Sequence, residues 1–277
     1  DSAEPVTVAF FSCQEYVAGY YHAHRDLAAR DDVDLVVCLG DYMYETSFAD
    51  TLSILSPVRK DESSPFGTTE TVEEYRAKYA LYNSDPNLQA VRANHAMIAI
   101  WDDHEVEDNY AGAIRGTTRP YTRRVPFEQR RANGYQVHYE VMPRLRDPAD
   151  RDRTYGAIGL GAAELMFLDT RQFRDRQPCD KSLALACPPW ELNRGFRTML
   201  GRDQKAWLKD RLQRSTAPWK LIGNQVMIMS LDASPGIPLT SDSWDGYAAE
   251  RGELIDFLQA NRIQDVSFLT GDIHTFF

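Results

Sequence analysis

Short apolar runs alternate along this chain with longer stretches in which apolar residues recur at helical spacing. The short runs are typical of strands that are buried within a sheet. They predict strands at residues 6–11, 35–39, 97–100, 220–229 and 266–270, and a hairpin at 155–160 and 163–168. The longer stretches predict helices at 20–29, 72–82, 88–94, 126–142, 203–213 and 248–261. Because strands alternate with helices, we predict an α/β fold with a mainly parallel sheet.

Ionisable side chains directly follow three of the predicted strands. Asp41 and Tyr44 follow the strand at 35–39, the segment Asp-Asp-His-Glu at 102–105 follows the next, and Asp272 and His274 follow the last. In open α/β sheets, ligands bind just past the carboxyl ends of the strands. The pattern therefore indicates a metal-dependent hydrolase centre.

Each of these groups also has a structural explanation. Asp41 fits a turn after a glycine, and Tyr44 fits a packed ring. Asp272 and His274 lie two apart and face the same way in an extended segment, although Asp-x-His is common by chance. The dense charge at 102–105 favours function, because burying four ionisable residues is costly unless a metal or an ion-pair network compensates. Cys13 is equally consistent with a thiolate ligand and with an inert buried thiol.

Two further positions carry polar groups next to apolar runs. Asn224 and Gln225 interrupt the strand at 220–229, and a buried carboxamide there must bind either a metal or the backbone. Arg171 follows the strand at 163–168 and suits a bidentate grip on phosphate. A salt bridge between Asp169 and an arginine explains this segment equally well.

Composition narrows the class of protein. The 277 residues are 43% hydrophobic with a net charge of -10, which disfavours a nuclease or another general nucleic-acid binder. No stretch reaches the ~18 apolar residues that indicate a transmembrane helix. The chain starts without a methionine, as a processed secretory protein or a trimmed chain would. Spacing favours a disulfide between Cys179 and Cys187, which needs an oxidising compartment, so we expect a secreted protein. Cys38 is expected in the core.

The ordered motifs resemble the PhoD-like alkaline phosphatases, a branch of the metallophosphoesterases that includes actinobacterial phospholipase D-type phosphodiesterases. The matching segments, in chain order, are Phe-Ser-Cys at 11–13, Gly-Asp-Tyr-Met-Tyr-Glu at 40–45, Trp-Asp-Asp-His-Glu-Val at 101–106, Asn-Tyr-Ala-Gly at 109–112, Leu-Asp-Thr-Arg-Gln-Phe-Arg at 168–174, Gly-Asn-Gln-Val-Met at 223–227 and Gly-Asp-Ile-His at 271–274. One departure is Asp108-Asn109, where the family often has two asparagines.

The resemblance implies a two-sheet sandwich flanked by helices, formed as one catalytic domain by residues 1–277. Its C-terminal part is expected to be missing from this chain and to accompany it as an associated fragment or a longer tail. The resemblance also implies an iron(III) site beside a divalent site, commonly calcium, with zinc, manganese or magnesium as alternatives. The implied iron ligands are Cys13, Asp41, Tyr44 and His274. The implied ligands of the second metal are Asp41 as the bridge, Asp103, Asn224 and Asp272, with Gln225 as an alternative to Asn224.

Function follows from the same resemblance. His104 is expected to act as an acid or phosphate contact and Arg171 to bind phosphate, in the hydrolysis of phosphate esters. A secreted phosphodiesterase with phospholipase D-type headgroup release is favoured over an alkaline phosphomonoesterase that scavenges phosphate, and over a non-catalytic metal- and phosphate-binding relative. Aromatic residues in predicted loops are candidates for contact with a lipid or amine headgroup, although packing at the surface is the default explanation for them. They are Tyr16, Tyr20, Tyr21, Tyr110, Tyr121, Trp190 and Trp244.

Overall fold

The computed structural model describes residues 5–47, 58–64, 66–116, 123–144, 147–180, 187–192 and 195–274. Its contacts divide the chain into two compact units. We call the unit formed by Thr7–Asp108 and Thr118–Asp152 the N-unit. The C-unit consists of Asp1–Val6, Asn109–Thr117 and Arg153–Phe277.

The N-unit is built on a three-stranded parallel sheet in the order β1-β2-β3. The strands are β1 (Val8–Phe11), β2 (Leu35–Cys38) and β3 (Met97–Ala99). Cys38 pairs with Phe11 on one side and with Ala99 on the other, so all three strands end at the same edge. Every residue of β2 is buried, which confirms both the predicted strand and the core position of Cys38.

Among the described residues, the N-unit also contains the α-helices α1 (His22–Ala28), α2 (Val72–Tyr82), α3 (Pro86–Asn94) and α4 (Phe127–Val141). Helix α2 begins with a capping box, in which the side chain of Thr71 accepts from the Glu74 N–H and Glu74 binds back. At the start of α3, Asp85 accepts backbone N–H groups and a proline occupies the first turn. These local signals explain why the predicted helices are close to the observed ones.

His138 on α4 makes the stability of the N-unit sensitive to pH. Burial, and then the charge of Arg144, lowers the pKa of His138 from 6.5 to about 3. Below pH ~6.5, His138 binds a proton in the unfolded chain but stays neutral in the folded chain. Its contribution to stability is therefore fully present above pH ~6.5 and is lost as the pH falls towards ~3. Between about pH 7 and about pH 5, His138 alone should cost about 2 kcal/mol of unfolding free energy.

Urea unfolding of His138→Phe at both pH values measures this effect. The variant should lose less stability on acidification than the wild type, whatever its stability near neutrality. His22→Phe, which replaces an exposed histidine on α1, is the control. It should lose as much unfolding free energy as the wild type when the pH is lowered. Equal acid sensitivity of His138→Phe and the wild type would contradict the assignment.

The C-unit contains a four-stranded sheet in the order β4-β5-β6-β9 and a two-stranded hairpin, β7-β8. Its strands are β4 (Gly156–Leu160), β5 (Ala163–Phe167), β6 (Trp219–Gly223), β7 (Asp232–Ser234), β8 (Ile237–Pro238) and β9 (Val266–Leu269). Its helices are α5 (Pro189–Leu192), α6 (Gly201–Arg214) and α7 (Ala248–Ala260). Strands β4 and β5 form the predicted antiparallel hairpin, and β5, β6 and β9 are parallel.

The prediction of a strand at 220–229 is wrong at its C-terminal end. Strand β6 stops at Gly223, where the polar pair Asn224-Gln225 begins. The Gln225 side chain donates to the Leu168 carbonyl at 2.7 Å and accepts from the Thr170 hydroxyl at 2.9 Å. A buried carboxamide that bridges to the neighbouring strand end in this way ends the regular ladder, and hydropathy did not reveal it.

The predicted disulfide joins Cys179 and Cys187, whose Cα atoms are 5.6 Å apart. Within the described ranges, no helix has the length and apolar character needed to cross a bilayer. Each unit has its own largely parallel sheet. The sandwich of two sheets stays a prediction, and the expected continuation after Phe277 concerns residues outside the described part of the chain.

Candidate metal centre

The strand ends of the N-unit bring together an acidic cluster. Asp41, after β2, and Asp103 and His104, after β3, each offer a ligand atom, and these three atoms lie within 4.8 Å of one another. All three side chains are buried. Cys13, after β1, is tied to the same edge because its N–H donates to the Gly40 carbonyl at 3.3 Å. The parallel register of β1, β2 and β3 therefore places four of the predicted site residues at one edge.

Backbone strain coincides with the predicted ligands. Cys13 and Asp41 have φ angles of 55° and 52°, in the left-handed region that side chains other than glycine rarely adopt. In the C-unit, Asp272 and His274 have φ angles of 67° and 56°. Such strain persists only where the surrounding structure imposes it, and it is frequent at functional sites. The same conformation occurs at Asp265, which has no predicted role, so it identifies a constrained backbone and not by itself a function.

Gly40 makes the close approach of two strand ends possible. Its φ is 112°, and an added Cβ would lie 2.5 Å from the Cβ of Asp102 and 2.6 Å from its backbone nitrogen. No larger residue fits without moving the loop after β2 away from the loop after β3. The glycine before Asp41 is therefore required by packing as well as by conformation.

The cluster is electrostatically costly without a cation. Burial, and then the negative charge of Asp103, raises the pKa of Asp41 well above its usual range. Two buried carboxylates this close repel each other when both are ionised, and a bound cation removes that cost. Carboxylate oxygens and an imidazole nitrogen are also ordinary metal ligands. The residues present therefore fit a metal ion.

Tyr44 lies beside Asp41, with its hydroxyl 3.5 Å from a carboxylate oxygen. Its backbone N–H donates to the hydroxyl of Tyr82 at 3.1 Å, which fixes the loop after β2. Burial, and then the charge of Asp41, raises the pKa of the Tyr44 phenol well above its ordinary value. Tyr44 would therefore ionise to a phenolate only if a nearby cation, such as a bound metal ion, offset this rise in its pKa.

His104 is held in one orientation by three neighbours. Its Nδ1 lies 2.6 Å from a carboxylate oxygen of Glu45, and its ring stacks on Tyr44 at a centroid distance of 4.0 Å. Its Nε2 is 3.7 Å from Asp108, the residue that replaces an asparagine of the family pattern. Burial by itself lowers the pKa of His104, but Glu45 and then Asp103 outweigh it and hold the pKa well above its usual range.

The predicted ligands of the C-unit follow β6 and β9. The Asn224 amide is buried, donates to the Val226 carbonyl at 2.5 Å and accepts from the Trp244 indole at 3.3 Å. The Gln225 side chain is bonded between Leu168 and Thr170, so both amides have protein partners and the choice of Asn224 over Gln225 as a ligand stays a prediction. Asp272 follows β9 and lies 3.6 Å from a guanidinium nitrogen of Arg171.

Arg171 is fully buried and is held by an acid that the sequence did not reveal. Its Nη1 donates to Asp242 at 2.7 Å. Asp242 also accepts from Arg174 and from Gln177, each at 2.6 Å. Asp169 accepts the backbone N–H of Arg171 at 2.9 Å, and the alternative of a salt bridge between Asp169 and an arginine stays open. Phosphate binding by Arg171 stays a prediction.

Three buried acids have roles that we did not predict from sequence: Glu45, Glu105 and Asp242. Glu45 and Glu105 lie inside the quoted motifs, but their spacing does not distinguish a residue that positions a neighbouring group from a metal ligand. Asp242 lies in a segment that carried no motif. The only available signal was the presence of acids in otherwise buried segments, which demands partners.

Comparisons with known proteins identify the family to which this chain belongs. The family model for PhoD-like phosphatases matches residues 8–277. The chain is 38% identical over 280 residues to alkaline phosphatase D of Bacillus subtilis (strain 168), covering 97% of the chain and 46% of that protein. A solved structure of PhoD superposes with a TM-score of 0.87 at 37% identity, covering 97% of the chain and 51% of that structure.

A purple acid phosphatase from yellow lupin (Lupinus luteus) seeds shares the fold at 12% identity, with a TM-score of 0.50 over 96% of the chain and 37% of its own. The chain spans about half the length of the PhoD relatives that it matches. The resemblance inferred from the order of the motifs is confirmed, and the chain belongs to the PhoD-like phosphatase family.

Proposed function

We propose that this chain carries the catalytic centre of a metal-dependent phosphoric ester hydrolase. The observation that carries the proposal is the buried cluster of Asp41, Asp103 and His104, whose ligand atoms lie within 4.8 Å of one another. Membership of the PhoD-like phosphatases supports the same reaction, and alkaline phosphatase D names it for a relative. A non-catalytic metal- and phosphate-binding relative would keep the same acidic ligands, so turnover assays are needed to separate it from an enzyme.

The proposed cofactors are iron(III) and a divalent ion, calcium in the first instance, held by the ligands expected from the sequence. Bound metals would supply Lewis-acid stabilisation of the phosphoryl oxygens and activate water as the nucleophile. The chain's own residues orient the reaction. Glu45 fixes Nδ1 of His104, so Nε2 is the atom that can pass a proton to the leaving oxygen.

Visible colour tests the iron assignment. If Tyr44 and Cys13 bind iron(III), phenolate and thiolate charge transfer should give the isolated protein an absorption band in the visible range. Tyr44→Phe should shift or weaken that band while Tyr16→Phe, on the same unit, leaves it unchanged. A colourless preparation with full activity and no iron by elemental analysis would rule iron out.

Phosphodiester hydrolysis, including phospholipase D-type headgroup release, is the preferred substrate class in this proposal. The structure weakens one of its supports, because Tyr110 and Trp244 are fully buried and belong to the core. The tyrosines at 16, 20 and 21 already surround a cation: the guanidinium carbon of Arg59 lies 3.7, 5.1 and 4.7 Å from their ring centroids. Trp190 is 66% exposed, and Tyr121 lies outside the described residues.

Paired assays decide between the two substrate classes. We expect turnover of bis(4-nitrophenyl) phosphate in the presence of calcium to exceed that of 4-nitrophenyl phosphate. Release of choline from phosphatidylcholine vesicles tests the lipid proposal separately. Preference for the monoester would favour the alkaline phosphomonoesterase, and no turnover of either ester by metal-loaded protein would contradict the enzymatic function.

Secretion is part of the proposal. The Cys179–Cys187 disulfide supports it, because such bonds form and persist in oxidising compartments.

A further inference from the structure

Glu105 makes an unusual set of contacts for a buried acid. Its side chain is fully buried in the turn that follows β3. One carboxylate oxygen accepts the backbone N–H of Tyr42 at 2.7 Å. The other accepts the N–H of Asp41 at 3.2 Å and of Asp102 at 2.8 Å. A single carboxylate therefore satisfies three backbone donors.

These three donors belong to two different strand ends. Asp41 and Tyr42 lie in the loop after β2, and Asp102 lies in the loop after β3. Glu105 thus joins the loop that presents Asp41 to the loop that presents Asp103, at the place where Gly40 allows them to touch. Three hydrogen bonds to one buried side chain fix the two loops to each other, so this junction is stiff.

The turn that carries Glu105 is itself held from behind. A Cβ on Gly134 of α4 would lie 2.6 Å from the Glu105 carbonyl oxygen, so the helix packs directly on the peptide of Glu105. The Tyr75 hydroxyl donates to the Val106 carbonyl at 2.6 Å. The position of the Glu105 carboxylate is therefore set by the helical layer of the N-unit.

We propose that Glu105 is a positioning residue, which sets the separation of Asp41 and Asp103 and thereby the strength with which they hold metal. The inference rests on the proposed function, because it takes these two aspartates as ligands. Glu105 has no role in it as a ligand or as a proton donor. Groups that orient metal ligands commonly change metal affinity by about 10–100-fold when they are removed.

The test compares Glu105→Gln with a matched control, Glu70→Gln. Glu70 is also fully buried in the N-unit, and its carboxylate accepts the N–H groups of Arg124 and Val125 at 2.7 and 3.0 Å. Glutamine keeps the size of either side chain and replaces one acceptor oxygen with an NH₂ group. Both oxygens of Glu105 accept N–H groups, so this NH₂ group faces a donor whichever way the amide turns. The N–H groups of Arg124 and Val125 both go to one oxygen of Glu70, which a glutamine can keep. Only Glu105→Gln should loosen the aspartates.

The readout is the rate at which the isolated protein loses bound metal to a chelator, followed by elemental analysis, with thermal unfolding measured in parallel. Glu105→Gln should release metal at least about tenfold faster than the wild type. Glu70→Gln should release it at the wild-type rate, whatever its melting temperature. Glu105→Asp, which keeps the charge and shortens the reach, should fall between the wild type and Glu105→Gln.

Equal release rates in Glu105→Gln and Glu70→Gln would overturn the positioning role while leaving the proposed function intact. A wild-type protein that carries no metal and takes up neither iron nor calcium would overturn both. If Glu105→Gln does not yield folded protein, Glu105→Asp and Glu70→Asp are compared in its place. Faster release from Glu105→Asp alone then supports the inference, and equal release overturns it.

Discussion

Asp41→Asn is expected to strip bound metal from the protein and to lower phosphate-ester turnover by at least about a thousandfold. The resemblance makes Asp41 the ligand shared by both metals, and its carboxylate lies at the centre of the buried cluster. Asparagine keeps the size of the side chain and tolerates the left-handed backbone at φ 52°, so the change removes charge with little added strain. Elemental analysis and diester turnover measure the two effects on the same preparation.

Asp265→Asn is the matched control for this experiment. Asp265 is an exposed aspartate with a φ of 56°, just before β9, and it carries no predicted role. The same chemical change on the same backbone conformation should leave metal content and turnover unchanged. If Asp41→Asn keeps its metal and its activity, the acidic cluster after β2 and β3 is not the catalytic centre.

The parts of this site that sequence could predict are local ones. Asp41, Asp103 and His104 directly follow apolar runs, and strand ends of a parallel sheet gather at one edge, so their proximity follows from the pattern. The sequence shows that Gly40 directly precedes Asp41, which indicates a turn. Its reason, the contact with Asp102 across the sheet edge, required the register of β2 and β3.

The roles of Glu105 and Asp242 could not be predicted, because their hydrogen-bond partners lie far away in the sequence or are backbone atoms. Glu105 binds the N–H groups of Asp41 and Tyr42, more than sixty residues earlier, and every non-proline residue offers the same donor. Asp242 pairs with Arg171 and Arg174 across a separation of 71 and 68 residues. A buried acid in the sequence indicates that a hydrogen-bond or ion-pair partner is needed, but only the structure identifies that partner.

Aromatic residues gave the opposite error. Trp244 and Tyr110 stand in segments that look like loops, yet both rings are fully buried. Tyr16, Tyr20 and Tyr21 pack around the Arg59 guanidinium, so their rings already contact a side chain of the same unit. The polarity of the neighbouring residues in sequence is therefore a poor guide to the burial of an aromatic side chain.

His104→Ala is expected to lower turnover by about 10²–10⁴-fold while leaving the metal content of the protein unchanged. Glu45 lies 2.6 Å from Nδ1 of His104, so Nδ1 is occupied and Nε2 is the ring nitrogen that can donate a proton to the leaving oxygen. Glu45→Gln should lower turnover less, because the imidazole remains and only its orientation weakens. The double variant should be no slower than His104→Ala, since both changes act through one side chain.

His95→Ala provides the control, because His95 binds the Leu27 carbonyl at 2.9 Å on the same unit and has no predicted role in the site. It should keep both turnover and metal. The opposite result for His104 is informative as well, since its ligand atom lies within 4.8 Å of those of Asp41 and Asp103. If His104→Ala loses metal in proportion to its activity, His104 is a ligand, and the acid that protonates the leaving oxygen must be another group.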